Sequence, residues 1–153
     1  MKVHCLRREQ FLPISLDEAW PFFSTPRNLE AITPDFLRFR ITSAVPDETY
    51  SGLIISYRIA AVAGVPMTWV TEIKHVEPLR RFVDEQRIGP FRLWFHEHRF
   101  DPVEGGMIMS DTVHYVMPWG WLGDWVHTLF IRRRLNAIFD FRHDYLAQLW
   151  PQP

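Results

Sequence analysis

The chain has 153 residues, of which 47% are hydrophobic and 23% charged, and its formal net charge is −1 at pH 7. This length fits a single domain over residues 1–153 with one sizeable core, and the near-neutral charge disfavours a nucleic-acid-binding protein. Cys5 is the only cysteine, which excludes an intramolecular disulfide and a cysteine-based zinc site.

The N-terminal part of the chain predicts a strand followed by two short helices. We expect the strand at about residues 3–12. Ser15 is the expected N-cap of the first helix, because Asp17 and Glu18 then lie in the first turn, where the helix dipole favours acidic groups. A second helical piece, Pro26 to Ala31, begins with a proline and ends before Thr33-Pro34.

The start of the chain also bears on targeting. Its first ten residues carry charges where a signal peptide needs an apolar stretch. Apolar runs along the chain stay well below the ~18 residues of a membrane span. We therefore expect a cytoplasmic protein.

Prolines divide the middle of the chain into regular segments. Pro66, Pro78, Pro90 and Pro102 recur every twelve residues, with strand-forming residues between them. Short strands separated by breakers at this spacing predict an antiparallel meander. The expected strands lie at about 37–44, 52–62, 67–77, 80–88, 91–100 and 107–117.

The last region predicts one long helix from Gly123 to about Leu149, because it has no proline or internal glycine and its apolar residues follow a helical spacing. Such a helix spans roughly 40 Å and can cover one face of the sheet. The predicted fold class is α+β: a curved seven-stranded antiparallel sheet wrapped around a long C-terminal helix, with two short helices after the first strand.

Two neighbouring strands of this meander carry the most informative pattern. With a period of two, His96 and His98 share one face of the first strand, and Asp111 lies on one face of the second. If the turn is at Asp101–Gly106, Phe100 opposes Met107, His98 opposes Met109, His96 opposes Asp111 and Trp94 opposes Val113. A face that mixes large apolar groups with a few ionisable ones is typical of a ligand pocket.

Further side chains are expected on the same face. Asp84 shares strand parity with Phe82, and Tyr115 offers a hydroxyl to a ligand or to nearby backbone. The predicted ligand-binding residues are Trp69, Phe82, Asp84, Trp94, His96, His98, Met109, Asp111, Val113 and Tyr115.

The paired histidine and carboxylate have several interpretations. Asp111 opposite His96 would orient a general base, or the two groups would form a structural ion pair. His96 and His98 would suit zinc if a third ligand such as Asp111 joined them. Nothing in the sequence requires this, so we expect no metal and no cofactor.

An aromatic segment precedes the predicted helix. Three tryptophans surround two glycines between Trp119 and Trp125. These rings would form a lid over the cavity, contact a membrane, or anchor the helix to the sheet.

The order of elements, together with several segments, resembles a known superfamily. These segments are Leu16–Pro34, Phe82–Gln86, Gly89–Phe91, Trp94–His98, Asp111–Tyr115 and Pro118–Gly120. They are similar to the START-like, birch-pollen-allergen-like helix-grip superfamily, also called SRPBCC or polyketide cyclase/dehydrase-like, and to a bacterial ligand-binding subgroup of it. The resemblance implies a hydrophobic cavity between the sheet and the helix.

Three functions remain open at this point. The first is binding of a small hydrophobic or amphipathic molecule, such as a lipid, quinone or polyketide-like compound. The second is a cyclase- or dehydratase-type enzyme that uses His96 and Asp111 as an acid/base pair. The third is a protein-interaction module with a filled core and no cavity.

Overall fold

The computed structural model describes residues 2–62, 64–118, 120 and 130–152. Its seven strands form one antiparallel sheet in the order β1-β7-β6-β5-β4-β3-β2, which confirms the predicted α+β fold. The strands are β1 (His4–Leu12), β2 (Arg40–Ile41), β3 (Ile54–Val62), β4 (Val65–Glu77), β5 (Arg81–Ile88), β6 (Leu93–Val103) and β7 (Gly106–Val116); the helices are α1 (Leu16–Phe23), the 3-10 helices Pro26–Leu29 and Asp35–Leu37, and α2 (Arg132–Leu149).

Helix α1 begins where the sequence predicts. The backbone N–H of Glu18 donates to Ser15 Oγ, and the Glu18 carboxylate accepts a hydrogen bond from the backbone N–H of Ser15. This reciprocal capping box satisfies two donors that the first turn of a helix otherwise leaves unpaired. The helix then buries Ala19 and Phe23.

Two predicted elements near α1 are shorter than expected. The piece predicted at Pro26 to Ala31 is a 3-10 helix that ends at Leu29. The strand predicted at 37–44 contains only Arg40 and Ile41. The cause is a second 3-10 turn that follows Pro34 and ends at Arg38, whose φ of 46° is left-handed. The backbone can enter an extended conformation only after that residue.

The β6–β7 hairpin has a different register from the predicted one. His98 opposes Asp111, His96 opposes Val113 and Trp94 opposes Tyr115. β6 continues through Pro102, and the connection to β7 is only Glu104-Gly105. Pro102 is tolerated because the pairing of β6 with β5 stops at Arg99, so no ladder bond on that side needs an N–H at this position.

The shift is two residues, so it preserves which face each side chain occupies. Gly105 makes the tight connection feasible, since its φ of +79° lies in the left-handed region.

Helix α2 packs along the inner face of the sheet. Leu135 and Phe139 join an apolar cluster with Trp94 from β6 and Val113 from β7. Near the C-terminal end of the helix, Leu146 joins a second apolar cluster that contains residues of β1, β6, β7 and α1. The 18 residues of α2 span about 27 Å at 1.5 Å per residue.

The predicted start of this helix at Gly123 and the segment from Trp119 to Trp125 lie outside the described residues, apart from Gly120. None of the helices in the described ranges is long and apolar enough to cross a membrane.

Candidate functional site

A cavity of about 510 Å³ lies between α2 and the inner face of the sheet. Most of its wall is apolar or aromatic. The sheet contributes residues such as Ile55, Ile59 and Trp69, and α2 contributes Leu135 and Ile138. Pockets of roughly 300–1,000 Å³ with such walls are typical of small-molecule sites.

Six of the ten residues predicted to bind a ligand line this cavity. They are Trp69, Phe82, Asp84, Trp94, His96 and His98. Both predicted histidines and one predicted carboxylate therefore lie at the same surface, as strand parity suggests.

The other four predicted residues lie behind that wall. Met109 and Asp111 line a separate cavity of about 60 Å³ that also contacts β1 and α2. Val113 and Tyr115 are buried in the apolar cluster around Trp94. Neither of these two residues belongs to the described lining of the larger cavity.

The ionisable side chains form one connected group. Asp84 Oδ2 lies 3.0 Å from His98 Nε2 and 3.4 Å from His96 Nδ1. On the other side of the two rings, Asp111 Oδ1 lies 2.8 Å from His96 Nε2 and 2.9 Å from His98 Nδ1. The first of these contacts with Asp111 is a hydrogen bond, whereas His98 Nδ1 is not aligned for one. Arg142 Nη1 lies 3.3 Å from the same Asp111 oxygen.

Strand pairing explains why these groups converge. Asp84 on β5 is directly opposite His96 on β6, and His98 on β6 is directly opposite Asp111 on β7. Directly opposed residues of an antiparallel pair have Cβ atoms about 4.5–5.5 Å apart. The two histidines are two residues apart on β6, so they point to the same face.

Aromatic neighbours fix the orientation of the two imidazole rings. His98 stacks on Phe82 with ring centroids 4.2 Å apart, and Phe139 meets the His96 ring edge-on at 5.7 Å. The two imidazoles themselves are 3.8 Å apart. Both are buried, with 5% of their surface exposed, so neither ring can turn without displacing an apolar neighbour.

The environment separates the pKa values of the two histidines. Burial and the nearby His98 lower the pKa of His96, and this outweighs the opposite effect of the carboxylates. Burial would also lower the pKa of His98, but contacts with Asp111 and Asp84 outweigh burial and hold it above its ordinary value. Of the two rings, His98 therefore holds a proton more strongly than His96.

Both carboxylates remain charged. Burial alone would raise the pKa of Asp84, but the two histidines hold it below its ordinary value. Burial opposes ionisation of Asp111 as well, yet the Arg142 guanidinium and both imidazoles hold its pKa well below the ordinary range. The group is thus a set of alternating charges beside an apolar cavity.

Sequence reasoning missed several polar residues of the cavity wall. Arg142, Arg134, Tyr57 and Thr71 all line it. Burial and the charge of Asp84 raise the pKa of Tyr57, so its hydroxyl stays neutral. The sequence did contain a signal for Arg142. It is a charged residue at a position where the helical spacing places the buried residues of α2.

One subset of this group has the composition of a metal site. One potential ligand atom from each of Asp84, His96 and His98 lies within 4.8 Å of those from the other two. Asp84 is thus the third candidate ligand, whereas the sequence suggested Asp111 for that role. Asp111 instead contacts both rings from behind.

Comparisons with known proteins bear on the fold. No protein-family model and no curated protein matches the chain in sequence. Solved structures match it along nearly its whole length. A protein from Chromobacterium violaceum superposes with a TM-score of 0.72 at 13% identity, covering 98% of this chain and 99% of that one.

Two further solved structures that match the chain are of named proteins. A point mutant of norcoclaurine synthase from Thalictrum flavum, in complex with a transition-state analogue, has a TM-score of 0.67 at 15% identity and covers 97% of this chain and 96% of its own. Ara h 8.0201 has a TM-score of 0.60 at 15% identity and covers 96% and 99%. The chain therefore shares the fold of these structures, an antiparallel sheet packed against a long C-terminal helix, which is the helix-grip fold that its sequence motifs predict.

Proposed function

We propose that this protein binds a small hydrophobic or amphipathic molecule in the cavity between the sheet and α2. The cavity itself carries the proposal, since a void of about 510 Å³ behind largely apolar walls is otherwise unfavourable for a folded chain. Removing an apolar ligand from water would supply most of the affinity. A lipid, a quinone or a polyketide-like compound fits this description.

The polar group at the wall would orient such a ligand. His98 and Arg142 offer positive charge, and Tyr57 offers a neutral hydroxyl. Arg142 Nε is buried and has no hydrogen-bond partner in the described part of the chain. A carbonyl, hydroxyl or carboxylate on the ligand would supply partners for these donors.

A ligand-binding cavity also argues against the interaction module with a filled core. That alternative requires side chains packed at interior density where the cavity lies.

Catalysis on the same scaffold is the second candidate, and the separated pKa values of the histidines favour it. A neutral His96 can accept a proton while a charged His98 can donate one. Asp111 would orient His96 through their 2.8 Å contact. Pairs of titratable groups with divergent pKa values are typical of acid/base sites.

A substitution that fills the cavity tests the binding proposal. Ile138 lines the cavity from α2, whereas the adjacent Ala137 is exposed. We expect Ile138→Trp to weaken binding of a neutral apolar fluorescent probe by about tenfold or more, a loss of about 1.4 kcal/mol or more. Ala137→Trp adds the same ring outside the cavity and should leave binding unchanged.

Native mass spectrometry of the gently purified protein should additionally show a bound apolar compound. Equal probe affinity for both variants and the wild type would place the binding elsewhere and end this proposal.

A further inference from the structure

Three side chains of the cavity wall hold their potential ligand atoms at metal-site spacing. Asp84 Oδ2 lies 3.0 Å from His98 Nε2 and 3.4 Å from His96 Nδ1. Ligand atoms about 2.0–2.2 Å from a tetrahedral zinc ion are separated by roughly 3.3–3.6 Å. The two separations from Asp84 therefore lie within a few tenths of an ångström of these values, and all three ligand atoms lie within 4.8 Å of one another.

A second observation is independent of that spacing. The other nitrogen of each ring faces one carboxylate, with Asp111 Oδ1 at 2.8 Å from His96 Nε2 and 2.9 Å from His98 Nδ1. Histidines that ligate metals almost always direct their second nitrogen to a carboxylate, a carbonyl or water, which fixes the ring. Here Asp111 forms this hydrogen bond with His96, and it lies close enough to His98 Nδ1 for a small reorientation of that ring to form the second one.

The surroundings favour a site with an open coordination position. Asp84, His96 and His98 provide three protein ligands, and all three line the ligand cavity. Three ligands with a free position are typical of catalytic zinc and non-haem iron sites, whereas structural zinc sites are closed by four.

Charge balance agrees with this arrangement. A metal ion at Nε2 displaces the proton that His98 otherwise holds. With both imidazoles then neutral, Asp84, Asp111 and Arg142 leave one net negative charge, which a divalent cation converts to one net positive charge. An anionic oxygen in the open position would neutralise the site, and such charge compensation is what burial requires.

We propose that Asp84 Oδ2, His96 Nδ1 and His98 Nε2 bind a divalent transition-metal ion, with Asp111 orienting both imidazoles. The inference rests on the proposed ligand-binding function and narrows it. The ligand would be an apolar molecule with an oxygen donor, such as a carboxylate, enolate or phenolate, that completes the coordination of the metal.

Titration of chelator-treated protein with Co²⁺ and Zn²⁺ tests the inference. We expect one ion per chain and visible ligand-field absorption from the cobalt form. Asp84→Asn is nearly isosteric and should weaken binding by more than the roughly 10–100-fold that loss of an outer carboxylate costs. His98→Gln should do the same, and Asp111→Asn should fall within that 10–100-fold range.

Matched controls exclude surface binding. His143 has an exposed side chain on α2, and Cys5 is an exposed free thiol. His143→Gln and Cys5→Ser should leave metal affinity unchanged. Circular dichroism of each variant identifies any that fail to fold, and anomalous diffraction from wild-type crystals soaked in Zn²⁺ gives a result that depends on no variant.

The outcomes separate the two proposals. Anomalous density within about 2.2 Å of the three named atoms supports the metal site, whereas density elsewhere, absent density, or full affinity in Asp84→Asn overturns it. Binding of the apolar probe to metal-free protein is measured in parallel. Probe binding without metal binding would leave the proposed function standing, and metal binding without probe binding would leave only the metal site.

Discussion

Arg142 and Asp111 form a buried ion pair, with Nη1 of the guanidinium 3.3 Å from Oδ1 of the carboxylate. This contact joins α2 to β7 directly behind the two cavity histidines. Arg142 also lies with its guanidinium 5.2 Å from the centroid of the Phe139 ring. The Arg142 guanidinium therefore packs against a ring of its own helix and also balances the charge of Asp111.

Loss of Asp111 should be strongly destabilising. Asp111→Ala leaves Arg142 buried without its ion-pair partner and His96 without its hydrogen-bond partner, and breaking a buried pair in this way costs about 3–5 kcal/mol. Denaturant unfolding measures the loss. The matched control is Asp144→Ala, whose side chain is 75% exposed, and it should change stability by less than about 0.5 kcal/mol.

A second substitution distinguishes charge imbalance from lost packing. Adding Arg142→Met to Asp111→Ala removes the uncompensated guanidinium, so we expect the double variant to recover part of the loss. Strictly additive destabilisation would contradict this interpretation of the pair.

Glu77 should make stability depend on pH in acid. Hydrogen bonds from Arg81 and then from His75 lower its pKa to about 2 from 4.5. Because the folded-state pKa is the lower one, this stabilisation is present above about pH 4.5 and is lost as the pH falls towards 2. Glu77→Gln should therefore lower the melting temperature at pH 7, by an amount that shrinks between pH 4.5 and 3.

Glu104 is an exposed glutamate in the β6–β7 turn, and Glu104→Gln serves as the control for that experiment. A constant difference between Glu77→Gln and wild type at every pH would show that the ion pairs of Glu77 are not the cause.

The glycines of the β6–β7 turn should differ in their tolerance of alanine. Gly105 has open space where a methyl group would be added but a φ of +79°, so Gly105→Ala should cost only the backbone strain, roughly 1–2 kcal/mol. At Gly106 an added Cβ would collide with the carbonyl oxygen of Leu12 on β1, so Gly106→Ala should cost more. Urea unfolding of the two variants gives the order, and the reverse order would contradict this hairpin geometry.

The capping box of α1 should contribute a modest, local stabilisation. Ser15→Ala removes the oxygen that accepts from the Glu18 backbone N–H, and losses of this kind cost about 1 kcal/mol. Ser15→Asp keeps an acceptor at the N-cap and should retain most of the stability. Thermal unfolding of both variants provides the comparison.

Much of the fold was predictable because it depends on periodicity. Alternating residues and regularly spaced prolines identified the strands of the meander, and the proline-free C-terminal region identified α2. The same parity placed His96, His98 and Asp84 on the inner face. A turn position is a weaker signal, since Pro102 suggested a strand end where β6 in fact continues, paired with β7 alone.

The rest of the site depends on distances that one sequence does not encode. Asp84 is twelve residues from His96, and only the pairing of β5 with β6 makes them neighbours. Arg142 comes from a helix whose rotation about its axis is set by packing. Asp111 is separated from the cavity surface because the histidines of β6 lie in front of it. Strand parity alone cannot distinguish a residue that borders the cavity from one on the same face that does not.

The two-residue connection between β6 and β7 limits how this chain can vary during evolution. A single residue inserted there and absorbed into β7 would reverse the facing of every later side chain in that strand. Asp111 would then leave the interior and lose its contacts with the two imidazoles. Insertions at this turn should therefore be rare among orthologues that retain the histidines, and those that occur should be accommodated as bulges or confined to the tip.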